Sequence, residues 1–213
     1  MLREIRPAIV FIAALTLITG LIYPLAMTGI AGVIFPYKAQ GSMIERDGKV
    51  VGSELIGQTF DRPMEHLEYF WGRPSGASVD PATKVVVSGG SNYGPLNPSL
   101  QDEVAQRIAA LRATGVTGPI PGDLVTKSAS GLDPHVSPAA AEIQVPRVAK
   151  ARGMSEGEVR AIVEAHLEAP TFGFLGQARV NVLAVNLDLD AKKSVAPVVS
   201  PDAAKFAPKP PGG

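Results

Sequence analysis

From Pro7 to Tyr37 the chain carries no Asp, Glu, Lys or Arg, and the stretch PAIVFIAALTLITGLIYPLAM within that run is dense in Ile, Leu, Val, Phe and Ala. About 20 consecutive apolar residues span the hydrocarbon core of a bilayer, so the run is long enough to cross one. The same length argues against a cleaved signal sequence, whose apolar core is roughly 7 to 15 residues and ends at a small-x-small site not evident here. The expectation is a retained single-pass anchor in residues 1–37. Pro7 then sits in its first turn, Tyr23 and Pro24 mark an interfacial end or a kink, and lipid burial ends near Met27.

Basic residues flank the run on both sides, Arg3 and Arg6 before it and Lys38, Arg46 and Lys49 after it, so counting them does not orient the helix. A long C-terminal domain crosses largely regardless of charge, which favours a cytoplasmic N-terminus and an extracytoplasmic domain. Ala13, Thr16 and Gly20 make a small-residue face that permits either close helix contact in lipid or plain exposure to lipid.

Beyond the apolar run the chain has room for one domain of ordinary size. The fold class expected is α/β, a mixed domain over 38–190, with a disordered Pro-rich tail over 191–213. Twenty Lys and Arg balance 20 Asp and Glu, which speaks against the clustered cations that a nucleic-acid binder needs. The absence of cysteine removes disulfides, thiolate metal sites and lipidation through cysteine. His66, His135 and His166 lie too far apart for a metal-ligand motif, so no bound metal is expected.

Within the domain, Asp47-Gly48 between apolar residues predicts a tight hairpin. Residues 60–98 are rich in Gly, Pro, Ser and Asn around Tyr69, Phe70 and Trp71, and so long an irregular stretch reads as a docking or functional surface. Asn97 and Pro98 open a helix whose stripe is Leu100, Val104, Ile108 and Leu111, with Asp102 and Glu103 near its positive end, stopping before Gly115. A second helical region over 137–152 must kink or divide at Pro146. Ser155 and Glu158 form a capping box for a third helix with Val159, Ile162, Val163 and Leu167 as its apolar face. In VNVLAVNLDLD the alternation of Val185, Leu187 and Leu189 with Asn186, Asp188 and Asp190 predicts a half-buried strand.

No phosphate-cradling run of the form G-x-x-x-x-G-K-[ST] occurs. Gly89 and Gly90 read either as a backbone nest for an anion or as a plain turn. Asp133, His135 and Ser137 read either as the elements of a hydrolytic triad or as turn and cap residues. Arg73 and Arg147 suit bidentate contacts, to a partner or within the domain.

Five segments in order, GSELIGQTF at 52–60, YFWGRPS at 69–75, SGGSNYGPLNP at 88–98, SASGLDPHVSPAAAEIQVPRVAKARG at 128–153 and VNVLAVNLDLD at 180–190, lie behind one apolar N-terminal helix. Together they resemble the C subunit of the Kdp-type potassium-transporting P-type ATPase over nearly the whole chain except the tail. The resemblance implies an accessory subunit of a bacterial inner-membrane pump, partnered by ATP-hydrolysing, potassium-binding and small stabilising subunits. ATP and potassium are then handled through the complex, with no cofactor held tightly here.

The resemblance also implies a catalytic chaperone that raises the ATP affinity of the ATP-hydrolysing subunit, through a Ser-Gly-Gly stretch, here Ser88, Gly89 and Gly90, and a glutamine, here Gln144. The chain lacks the Asp-Lys-Thr-Gly-Thr phosphorylation motif, so no catalytic residue is expected. Tyr69, Phe70, Trp71, Arg73, Asp133, His135 and Arg147 are the expected partner contacts. The other readings are a cap over the external potassium entrance, a membrane-tethered hydrolase using Ser137, His135 and Asp133, and a free-standing binding module.

Overall fold

The computed structural model describes residues 2–60 and 66–192. The chain divides between Met43 and Ile44 into two compact units. Of the tail expected over 191–213, Ala191 and Lys192 instead end the last helix, and the rest lies outside the described residues.

The first unit is helical. Helix α1 (Leu2–Leu17) passes through a π-helical turn (Ile18–Ile22) into α2 (Tyr23–Ile34), making one apolar helix of 32 residues from Arg3 to Ile34 that is long and apolar enough to cross a membrane. At 1.5 Å per residue it is about 48 Å long, against a hydrocarbon core of about 30 Å.

Pro24 explains the widened turn. Proline has no amide hydrogen, and its ring crowds the carbonyl four residues back. The helix absorbs this with an i to i−5 bond, the Tyr23 amide donating to the Ile18 carbonyl, and continues. Tyr23 and Pro24 therefore mark a bulge and not an end, and Pro7 lies inside α1 and not in its first turn. The helix stops at Phe35 (φ −132°), after which a short α3 (Pro36–Ala39) comes. Ala13, Thr16 and Gly20 are exposed along its length, and a Cβ on Gly20 would sit 4.0 Å from the Thr16 methyl, so these two share a face.

The expected hairpin forms where the second unit begins, β1 (Met43–Arg46) and β2 (Lys49–Ser53), turning through Asp47 (φ 52°) and Gly48 (φ 72°). Positive φ at both central residues is what an Asp-Gly turn supplies. Among its described residues, the irregular stretch over 60–98 holds one minimal antiparallel pair, β3 (Ser78–Val79) with β4 (Val86–Val87).

Helix α4 (Pro98–Ala113) starts as expected, the Asn97 side chain accepting the Ser99 amide. A 3-10 turn (Gly122–Leu124) leads to β5 (His135–Val136) and α5 (Pro138–Glu142). The chain divides before Pro146, and α6 (Val145–Arg152) begins there. Helix α7 (Glu156–Ala165) carries the full Ser155–Glu158 capping box. Then come β6 (Leu167–Glu168), β7 (Arg179–Asn181) and α8 (Val182–Lys192). The sheet has the order β5-β7-β6, antiparallel throughout, with Val136 opposite Val180 and Glu168 opposite Arg179.

In the second unit two expected elements come out differently. Residues 185–190 form the body of α8 and no strand: Asn181 caps the helix by accepting the Ala184 amide, and Val182, Val185, Asn186 and Leu189 fall on one buried face at helical spacing. The alternating run is compatible with both periods, and packing decides. Leu167 does not extend the apolar face of α7; it lies in β6 and is 47% exposed. The core gathers Val145, Val148, Val159, Ile162, Val180, Val185 and Leu189 from three helices and the sheet around Tyr69, Phe70 and Trp71.

Candidate functional site

The expected site residues sort into three places. The first is the core. Tyr69, Phe70 and Trp71 are 2%, 1% and 3% exposed, which corrects their reading as partner contacts: an extended segment runs through the interior. Buried backbone polar groups must be paired, and here two side-chain amides from helices do the pairing. Asn186 Oδ1 accepts the Phe70 amide at 2.8 Å and its Nδ2 donates to the Phe70 carbonyl at 3.0 Å. Gln144 Oε1 accepts the Trp71 amide at 2.8 Å and its Nε2 donates to the Trp71 carbonyl at 3.1 Å. Each amide stands in for a neighbouring strand.

Arginines complete the clamp. Arg147 donates to the Leu67 carbonyl and to Gln144 Oε1, both at 2.7 Å, and its guanidinium lies 4.2 Å from the centre of the Trp71 ring. Burial pushes Arg147 down to about 10, against the opposing pull of Glu68. Arg152 donates to the Glu68 carbonyl at 2.6 Å and to Asp190 at 2.8 Å, while Tyr69 donates its hydroxyl to the same carboxylate. Arg147 and Gln144 are thus internal supports, which corrects the reading of Arg147 as a partner contact and makes any influence of Gln144 on ATP affinity indirect. Gln144 is 0% exposed, and its Nε2 also serves the Ala140 carbonyl, so both ends of its amide are taken.

The second place is a half-buried chain of charges. Arg73 donates to Asp133 Oδ2 at 3.1 Å and to the Lys127 carbonyl. His135 has Nδ1 3.6 Å from Asp133 Oδ1 and Nε2 3.4 Å from Glu168 Oε1, and Glu168 pairs with Arg179 at 2.7 Å. Five side chains from four segments are therefore linked in a chain, with the His135 ring between two carboxylates and an arginine at each end. A hydrolytic triad needs a hydroxyl on the imidazole, but both ring nitrogens face carboxylates. Ser137 Oγ accepts the Ala140 amide instead, as the cap of α5.

The third place is a backbone junction. Ser88 Oγ and the Gly89 amide both donate to the Ser130 carbonyl, at 2.7 and 2.9 Å. Gly131 (φ 68°) approaches so closely that a Cβ there would lie 2.7 Å from the Gly89 carbonyl oxygen and 2.6 Å from the Ala77 nitrogen. The Ser-Gly-Gly stretch is thereby tied to the 128–131 loop, with the Gly89 amide spent inside the domain and unable to serve an anion nest.

A cleft of about 220 Å³ is lined by residues 114–118 with Ile143, Pro146 and Arg147. Small-molecule sites run to roughly 300–1,000 Å³, so it is too small to enclose a nucleotide. Among the described residues no three His, Asp or Glu side chains come together as metal ligands do. Asn186, Arg152, Phe172 and Phe174 are functional candidates that sequence reasoning misses. A lone Asn inside an apolar run, and two Phe around Gly173 in a charge-free stretch, are the available signals.

The family model described as K+-transporting ATPase, c chain (KdpC) matches residues 5–191. The chain is similar to the potassium-transporting ATPase KdpC subunit of Rhodopseudomonas palustris strain TIE-1, 55% identical over 201 residues, covering 90% of this chain and 98% of that protein. A protein of the same name from Sorangium cellulosum is 53% identical over 195 residues, covering 91% of this chain and all of that protein.

Proposed function

The chain belongs to the KdpC family of K+-transporting ATPase c chains, and from that premise we propose that it is a non-catalytic accessory subunit of an ATP-driven potassium uptake pump. The match over residues 5–191 is the observation that carries this reading. Helix Arg3–Ile34 anchors the subunit in the bacterial inner membrane, with the N-terminus cytoplasmic and the domain outside. It assembles there with the ATP-hydrolysing, potassium-binding and small stabilising subunits.

Its effect on ATP travels through the complex. The engaged amide of Gln144 and the engaged amide of Gly89 support a subunit that touches no nucleotide, as does a domain on the opposite side of the membrane from cytosolic ATP. An accessory chain raises ATP affinity when it binds one conformational state of the pump more tightly than another. A tenfold change requires a difference of about 1.4 kcal/mol. The alternative role of a domain seated outside is a cover over the potassium entrance, and the balance of 20 basic and 20 acidic residues in the chain speaks against a strong general electrostatic funnel.

The test is potassium-stimulated ATP hydrolysis by the pump purified with and without this chain, across a range of ATP concentrations. Omission is expected to raise the apparent ATP requirement or to collapse the complex. An intact complex with unchanged kinetics would refute the reading.

A further inference from the structure

We propose that the loop between β6 and β7 is a docking tip that seats in an uncharged, shaped apolar pocket on a neighbouring subunit of the pump, a proposal that rests on the accessory-subunit reading. Phe172 is 84% exposed, Phe174 75% and Leu175 52%, whereas Phe60, Tyr69, Phe70 and Trp71 are all at 9% or below. Residues 169–178 carry no charge. At the root of the loop Arg179 and Glu168 neutralise each other, with Nη2 to Oε2 at 2.7 Å and Nε to Oε2 at 2.8 Å.

The tip is preformed. The Thr171 and Leu175 amides each donate to the other residue's carbonyl at 2.9 Å, the Gly173 amide donates to Pro170 at 2.9 Å and the Phe174 amide to Thr171 at 3.3 Å. Phe172 is held at φ 54°, ahead of Gly173 at 81° and Gly176 at 87°. An aromatic side chain rarely adopts that region, and it persists only where surrounding bonds over-determine it. A backbone already held in one turn loses little of its own conformational freedom on binding, which is how a small contact gains affinity.

Three occupants compete, and the tip favours one. A lipid surface is fluid and has no shape for a strained, fixed presentation to complement. Membrane-dipping segments also draw on Lys and Arg against anionic headgroups, and this loop has none. A second copy would set a convex tip against a convex tip, and a two-fold contact must be self-complementary. An uncharged concave pocket on a protein matches the shape and the charge, and because the membrane helix already confines the chain beside its partners, the contact need not be large.

The experiment uses the full-length chain and the complete pump. Phe172→Ser combined with Phe174→Ser is expected to weaken association with the other subunits at least tenfold, the scale of a buried aromatic anchor, with an unchanged thermal midpoint for the chain alone. Leu96→Ser, at a residue 92% exposed elsewhere on the domain, is expected to change neither. If the double variant associates like the parent chain, the tip is overturned while the accessory reading stands; if the parent chain itself does not associate, both fall. Phe172→Trp gives a second readout. Blue-shifted emission only when the partner subunits are present supports the proposal. A blue shift in the chain alone in phosphatidylcholine–phosphatidylglycerol nanodiscs, quenched by brominated acyl chains, makes lipid the occupant and overturns it.

Discussion

The domain contains two short aromatic stretches, Tyr69-Phe70-Trp71 and Phe172-Gly173-Phe174, and the fold buries the first while holding the second out in solvent. Hydrophobicity does not separate them; the fate of the backbone does. The buried stretch has its amides and carbonyls met by Asn186 and Gln144, which lie 116 and 73 residues away in sequence. The exposed stretch meets its backbone needs within its own loop, and no side-chain amide from the core reaches it among the described residues. An aromatic run can enter a core when distant polar side chains are placed to receive its backbone, because buried amides left unpaired would offset much of the gain from burying the rings.

This contrast can be broken at either end. The largest effect is expected for Gln144→Ala, which orphans the Trp71 amide and carbonyl and one donor of buried Arg147. It should cost about 4 kcal/mol in unfolding free energy, followed by Trp71 fluorescence. Asn186→Ala removes the equivalent clamp on Phe70 without stranding a cation, and about 3 kcal/mol is expected in the same assay. Losses below about 1 kcal/mol in both would mean that the clamps do not hold the segment inside.

Ser155→Ala removes a capping box on α7, and about 1 kcal/mol is expected. It sets the scale for an ordinary local bond. Phe172→Ala and Phe174→Ala, at the exposed end of the comparison, should each move stability by no more than about 0.5 kcal/mol. A larger loss in thermal unfolding would show that the loop belongs to the core after all.

Features that depend on neighbours in sequence are legible without the fold. Asn97-Pro98, Asp47-Gly48, the break at Pro146 and the Ser155–Glu158 box each act over a few residues, and each forms as expected. What is not legible depends on packing. The alternating residues 185–190 suit a strand or a helix, and only the buried face of Val182, Val185, Asn186 and Leu189 decides for the helix. The π-helical turn before Pro24 comes from proline sterics, yet a kink, an end and a bulge all satisfy those sterics.

The candidate site is legible in sequence as a set of residues but not as an interior. Gln144, Arg147 and the 69–71 segment do meet, yet away from the surface, because the pairings that unite them reach across 73 and 80 residues of sequence. Asp133, His135 and Arg73 also meet, as a charge chain and not as an acid-base pair aimed at a hydroxyl.

The central claim is that this subunit acts on the pump without holding nucleotide. Calorimetric titration of ATP into the purified full-length chain in nanodiscs, with the other subunits absent, tests it most directly. No saturable heat is predicted up to millimolar ATP; a saturable binding curve would contradict the account.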